Sequence, residues 1–362
     1  MTEHAARRGH VLLDRALRRE ADGDADGAHR LALRALRALG SGTTDDRSAV
    51  AAALVVAGRC EQALGGGDLG ERALRRARAV AEGLPHGPER DSLRLAAREG
   101  LANGRRLAGR YGCAERLFGE ALEIAEQAFG GDSLEVAGVL NGLGVTCKYA
   151  GRFDEAERAY RRALDVAERL LGPDHEDVAT LYHNLGGLAH ARGDFAAGEP
   201  YARRSVEIRE RALGTADPAV AADRAALASI LDALGRHDEA EALLRDAISF
   251  FTRVHGEEHY EVAVNLNNLA AIAHRRGDLR AAEELYRRAL AIKEHVLGAN
   301  HPELATTLNN LALLRTARHD YGEAGALYRR ALAVLEAAVE PTHPSLSTCR
   351  ENYELMLAEA AP

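Results

Sequence analysis

Several strings in this 362-residue chain have the spacing of chemical sites. His255 and His259 frame HGEEH, the H-x-x-E-H pattern in which two histidines one helical turn apart hold zinc beside a catalytic glutamate. Gly65, Gly67 and Gly70 spell GxGxxG, which can wrap backbone N–H groups around a pyrophosphate if it follows a strand and opens a helix. His175, His259, His301 and His343 recur along the chain and raise the question of a shared metal. The pairs Arg161-Arg162, Arg203-Arg204, Arg287-Arg288 and Arg329-Arg330 form a row that could meet an acidic partner. Each reading depends on the element that carries the residues.

Those elements come from an internal repeat. Gly67, Gly109, Gly151, Gly193, Gly235 and Gly277, followed by His319, stand at a strict interval of 42. The clearest copies read GRFDEAERAYRRALDVAERLLGPDH from Gly151, GDLRAAEELYRRALAIKEHVLGANH from Gly277 and HDYGEAGALYRRALAVLEAAVEPTH from His319. After each glycine, apolar residues recur at helical spacing: Phe153, Ala156, Tyr160, Ala163, Leu164 and Val166. A second helix precedes the glycine, with Val136, Ala137, Leu140, Leu143 and Gly144 echoed by Val262, Ala263, Leu266, Leu269 and Ala270. The unit is therefore helix A, tight turn, helix B. Gly144, Gly186, Ala228, Ala270 and Ala312 share one register, and Ala156, Gly198, Ala240, Ala282 and Ala324 another, where small side chains let paired helices approach.

Punctuation between copies is as regular. LGPDH from Leu171, LGTADP from Leu213, LGANHP from Leu297 and VEPTHP from Val339 place glycine where a helix stops and proline where the next begins. Pro200 departs from the pattern by lying inside a B helix, where it is expected to bend or weaken it. Gly23 marks a further turn 44 residues before Gly67. The expected fold is all-α: a solenoid of about eight antiparallel helix pairs plus a C-terminal capping helix over Pro344 to Glu359. Residues 1–362 form a single array, with degenerate repeats over 1–131, regular 42-residue repeats over 132–343, and the capping helix and tail over 344–362. Ser41 to Pro88 is the least regular stretch.

The register disposes of most of the apparent chemistry. Gly256 falls where Gly172, Gly214 and Gly298 fall, so HGEEH spans a helix stop and the next start, and no single helix face carries both histidines. GxGxxG follows a helix, not a strand. The loop histidines are about a helix diameter apart, ~10 Å, too far to share an ion with bonds of ~2 Å. The arginine pairs are expected on a solvated outer face with glutamates a turn away. No nucleophile, base and orienting group share one place, so no catalytic residue, metal or cofactor is expected and the chain is not read as an enzyme.

Composition agrees with a helical, water-exposed array: 46% hydrophobic, 28% charged and 4% aromatic residues, rich in alanine, leucine, arginine and glutamate. The formal charge of −8 is uneven, with 21 Lys/Arg against 19 Asp/Glu over residues 1–131 and 26 against 36 beyond. An acidic chain is a poor partner for nucleic acid. No apolar run has the length of a membrane span, and the first residues carry no stretch of signal-peptide type, so the expected location is the cytoplasm. Cys60, Cys113, Cys147 and Cys349 show no disulfide or zinc spacing. They are expected to be reduced and unligated.

These copies resemble tetratricopeptide repeats, and the 42-residue form with LNNLA at Leu266 to Ala270 and Leu308 to Ala312, EAE at Glu155 to Glu157 and LG-x-x-HP resembles the repeats of kinesin light chains. The resemblance covers residues 132 to 345 closely and 1 to 131 loosely. It implies a right-handed superhelical solenoid with a concave face lined by A helices, on which extended peptides bind. With the turn residue as motif position fifteen, it turns inward Asn141, Lys148 and Tyr149, then His183, Asn184 and His190. Ser229 and Asp232 follow, then Asn267, Asn268, His274 and Arg275, and finally Asn309 and Asn310. Asparagine donates and accepts at once, which suits a peptide main chain. At the second position stand Gly138, Thr180, Ala222, Val264 and Thr306, so the basic clamp that some such repeats use on a C-terminal carboxylate is missing. The cations of this face are chiefly Lys148 and Arg275, fewer than the acidic, aromatic-bearing peptides favoured by kinesin light chains would call for. The function expected is a cytoplasmic scaffold holding a segment of another protein, with no nucleic-acid or membrane partner; the alternative is a ligand- or peptide-responsive regulator of a separate effector.

Overall fold

The structure, a computed structural model, describes residues 2–40, 44–339, 341 and 343–361. Ser41, at the start of the irregular stretch, and Glu340 and Thr342 of VEPTHP lie outside them. Seventeen helices and no strand are found among the described residues. The first six are α1 (Thr2–Ala21), α2 (Ala25–Leu39), α3 (Thr44–Ala63), α4 (Gly67–Glu82), α5 (Pro88–Leu107) and α6 (Tyr111–Phe129). Then come α7 (Leu134–Tyr149), α8 (Phe153–Leu171), α9 (Glu176–Arg192), α10 (Phe195–Leu213), α11 (Pro218–Ala233) and α12 (His237–His255). The last are α13 (Tyr260–Arg275), α14 (Leu279–Leu297), α15 (Leu304–Ala317), α16 (Tyr321–Ala338) and α17 (Pro344–Ala360). Odd-numbered helices are A helices and even-numbered ones B helices, in eight pairs with α17 left over, as the repeat requires.

Each A-to-B turn passes through a residue with positive φ: Gly23, Gly65, Gly109, Gly151, Gly193, Gly235, Gly277 and His319. His319 adopts φ 59° without being glycine, a strained choice for most side chains. The structure moves one turn of the expected series. Gly67 is the first residue of α4, and the left-handed residue is Gly65, 42 after Gly23 and 44 before Gly109. The two-residue excess therefore lies between α3 and α5, and Gly23 is in step with Gly65. A glycine-rich string offers several residues able to take φ above zero, so spacing alone cannot choose among them.

The chain divides into two compact units, residues 1–147 and 148–362. In the first, Leu12, Leu13, Leu39, Leu54, Leu74 and Leu101 share one core. Helices α3 and α4 touch at glycines: a Cβ on Gly70 would stand 2.7 Å from the Gly58 carbonyl oxygen. In the second, the expected small positions are all buried, and a Cβ on Gly198 would meet the Gly186 carbonyl oxygen at 3.3 Å. Tyr160, Tyr286 and Tyr328 fill the space beside them. Helix α17 covers the last pair through Leu346, Cys349 and Met356, which join Leu308, Tyr328 and Leu335 in one cluster. Helix α10 runs unbroken through Pro200.

The arginine row is a solvated ladder. Glu157 on α8 accepts from Arg161 at 2.9 Å and from Arg192 of α9 at 2.5 Å. Glu199 takes Arg203 and Arg236, and Glu241 takes Arg245 and Arg276. The second arginine of a pair reaches the loop instead: Arg204 donates to Asp174, Arg288 to Glu257 and Arg330 to the Ala299 carbonyl.

Candidate peptide-binding site

HGEEH does not present a metal site on one helix. His255 ends α12, Gly256 turns with φ 91°, and His259 is the N-cap of α13, its ring 4.3 Å from that of His255. The loop histidines share a role that spacing alone did not suggest. His175, His259, His301 and His343 each accept a bond at Nδ1 from a backbone N–H two residues on, at 3.1, 3.3, 3.2 and 3.1 Å. Asp217 and Ser133 hold the same register and also cap, through Ala219 N and Val136 N. These residues recur because each A helix leaves N–H groups without partners at its start.

In the second unit, A helices α9, α11, α13, α15 and α17 succeed one another side by side, and α9, α13 and α15 carry nine of the eleven candidate groove residues; Asn141 and Lys148 are on α7. The asparagines bond across repeats. Asn310 donates to Asn267 at 3.4 Å, Asn267 to Asn268 at 3.5 Å, and Asn352 of α17 to Asn309 at 3.0 Å. Asn267 is thereby buried, whereas Asn268, Asn309 and Asn310 stay partly exposed. Each amide has more hydrogen-bond sites than these long contacts use. Asn184 on α9 is also partly exposed. His183 is occupied otherwise: its Nδ1 lies 2.8 Å from the buried Asp223, which Ser205 and Arg209 also bind. Lys148 lies over the Tyr149 ring at 5.0 Å.

His190, Asn268 and Arg275 meet in one cavity of about 610 Å³ between α9, α11 and α13, with Phe195, Ser229 and Asp232 in its wall. Asp232 is buried and binds both Arg275 and His237, the latter at 2.7 Å. Enclosure by protein lowers the Arg275 pKa. It lowers that of His190 as well, with Lys148 and Arg275 adding repulsion. His274, half-buried, is lowered by burial. At neutral pH the cavity thus presents a neutral imidazole, an internally balanced Arg–Asp pair, an amide and a hydroxyl. Phe195 packs edge-on against His190 with ring centres 5.3 Å apart. Phe195, His237 and Asn352 escape the sequence reading because they belong to B-helix starts and the capping helix. Glu99 escapes it too. It holds the fifth motif position on α5, where burial pushes its carboxyl up to about 7.

The model of the family described as "Tetratricopeptide repeat" matches residues 93–169, 135–211, 177–253, 221–295, 261–337 and 303–360, well over half of the chain. The chain belongs to the tetratricopeptide repeat family. No curated protein matches it by sequence. Among solved structures, a Rap protein complexed with Competence and Sporulation Factor is similar over 98% of this chain and 99% of its own, at 14% identity and a TM-score of 0.60. BtubC (BKLC) from P. vanneervenii is 24% identical over 71% of this chain and 93% of its own, with a TM-score of 0.52. Kinesin-light-chain-type TPR-like repeats from Podosopora anserina are 20% identical over 59% of this chain and 99% of their own, with a TM-score of 0.48. At these identities the likeness is one of fold. Tetratricopeptide arrays in general present surfaces for other proteins, and none of the described helices is long and apolar enough to cross a membrane.

Proposed function

We propose that this tetratricopeptide protein is a non-enzymatic scaffold of the cytoplasm that holds an extended segment of a partner protein along the A helices of residues 148–362. The observation that carries the reading is the cavity between α9, α11 and α13, where His190, Asn268 and Arg275 converge beside a strip of partly exposed asparagines. Its charges cancel internally, Arg275 against Asp232. A site so balanced favours amide main chain and polar side chains over strongly charged ones, since a charged guest would displace an ion pair already made. Asparagine amides then fix strand-like backbone without demanding a particular sequence. Cys60, Cys147 and Cys349 are buried thiols and Cys113 a partly buried one, which a reducing compartment permits.

The test is capture from a displayed library of random peptides. The native chain should enrich a set of peptides, and Asn184→Ala, Asn268→Ala and Asn310→Ala combined should lose that set while circular dichroism stays unchanged. Undiminished capture by a folded triple variant refutes the assignment of the groove.

A further inference from the structure

A different crevice, of about 430 Å³, lies in the first unit between the B helices α4 and α6 and the C-terminal end of α5. Five guanidinium groups line it, from Arg75, Arg78, Arg105, Arg110 and Arg116, against one carboxylate, Glu71. That carboxylate is already shared by Arg75 and Arg105. Arg78 stands 4.0 Å from Glu82. Among the described residues Arg110 makes no ion pair, and Arg116 only approaches the Cys113 sulfur, at 3.9 Å. Three cations therefore face one space with little compensation, in a chain whose net charge is −8.

The repeat supplies an internal comparison. The crevice in the same register of the second unit, between α12, α13 and α14, is lined by Arg245 and Arg276 against Glu241, Asp278 and Glu284. Asp278 occupies the register of Arg110, and Glu284 that of Arg116. Arg78 stands where the other pairs from α6 onward carry Leu122, Leu164, Val206, Ile248, Leu290 and Leu332. The start of α6 departs in the same direction. Every other B helix places an acid at its N-cap or in its first turn, but α6 begins Arg110-Tyr111-Gly112-Cys113 with no side-chain cap. The Tyr111 N–H donates to the Gly109 carbonyl at 3.0 Å, and no side chain caps the N–H groups that follow it. A Cβ on Gly112 would meet nothing within 4 Å, so the approach is open.

We propose that this crevice binds a small anion carrying at least two phosphate groups. Guanidinium forks match phosphate oxygens in geometry, and several uncompensated ones at close range cost mutual repulsion that a multiply charged guest relieves. A lone carboxylate would answer one arginine and leave the others facing each other. The volume admits a di- or triphosphate and not a folded partner. The site is separate from the peptide groove and stands without it.

Calorimetric titration of the full chain with inorganic pyrophosphate at low salt tests the site. Saturable binding of one equivalent is expected, weakened about tenfold by Arg110→Ala with Arg116→Ala, which together take two exposed guanidinium forks away from the guest. Neither side chain has an ion pair to lose, and circular dichroism checks that the variant folds. Arg34→Ala with Arg37→Ala removes the same charge from exposed positions on α2 and should leave binding within twofold, a change too small for the removal of a charge-assisted hydrogen bond. Three results overturn the proposal: no saturable binding by the native chain, equal weakening by the two double variants, or binding of a glutamate-rich peptide where pyrophosphate fails.

Discussion

His259 offers a test in which cap chemistry and charge can be separated. Its Nδ1 accepts from the Glu261 N–H at 3.3 Å, which requires that nitrogen to be unprotonated. Burial, and after it the adjacent His255, holds its pKa below the usual 6.5. Protonation would turn the acceptor into a donor and set a cation at a helix N-terminus, where the macrodipole opposes it. The contribution is therefore complete above the unfolded-state value near 6.5 and is lost as pH falls through the lower folded-state value. Removing an N-cap costs about 1 kcal/mol, a roughly fivefold change in local opening. Asp217 holds the same register one repeat earlier and caps α11 at 2.8 Å, and aspartate in general ionises near 4. His259→Asp should keep its cap at pH 5, with Glu261 unchanged beside it. Hydrogen exchange of the amides of Glu261 and Val262, corrected for intrinsic rates, reads the effect. His259→Ala should exchange about fivefold faster than the native chain at pH 7.5, a gap that narrows as pH falls to 5, whereas His259→Asp stays protected at both. Native protection that does not change between those pH values, or an aspartate variant as labile as alanine at pH 7.5, refutes the reasoning.

Other perturbations follow from the same geometry. Glu99, raised to about 7 by burial, costs stability increasingly as pH rises from the unfolded value near 4.5 through 7. Glu99→Gln should therefore raise urea stability by about 3 kcal/mol at pH 8 and leave it nearly unchanged at pH 4.5. Pro200 occupies the interior of α10 without a donor for the helix ladder, so Pro200→Ala should stabilise by about 1–3 kcal/mol in the same assay. Glu283 is buried among Arg287, Arg315 and Arg318. Glu283→Gln takes one of three carboxylates from buried Arg315, leaving Glu323 at 3.2 Å and Asp320 at 3.7 Å, and should cost about 2 kcal/mol, whereas Glu157→Gln on the exposed ladder should cost under about 1 kcal/mol.

The helix pairs, their small contact residues and the capping helix were legible because each follows from a single period: glycine where the chain reverses, alanine where helices touch, leucine between. What stayed hidden depends on which atoms meet. Gly65 and Gly67 are equivalent as letters, and only the ends of α3 and α4 decide which one takes positive φ. The asparagines were readable as a row, but the bond from Asn310 back to Asn267 requires knowing that neighbouring A helices align fifth position to sixth. The loop histidines were visible and their purpose was not, since capping is a contact between a side chain and the backbone two residues on. The arginine crevice was the least visible. Residues 1–131 are almost neutral in sum, and the excess exists only where α4, α5 and α6 bring it together.

Departures from the repeat fall into two kinds, and the difference is physical. Arg209 and Lys293 occupy a B-helix register that holds Ala125, Ala167, Phe251 and Leu335 elsewhere. Both are compensated by the fold. Arg209 binds Asp223 at 2.7 Å and Thr180 at 3.1 Å, and Lys293 donates to the Glu303 carbonyl at 3.3 Å under the Tyr260 ring. Burial lowers the Lys293 pKa, a penalty that these partners offset. Such residues stabilise one particular junction and need no ligand to explain them. Among the described residues Arg110 and Arg116 have no ion-pair partner and Arg78 has only Glu82, at 4.0 Å, although neighbouring copies show that apolar or acidic residues serve in the same places. A repeat array supplies its own reference for every position, and an uncompensated charge set against that reference points outward, to something the chain meets.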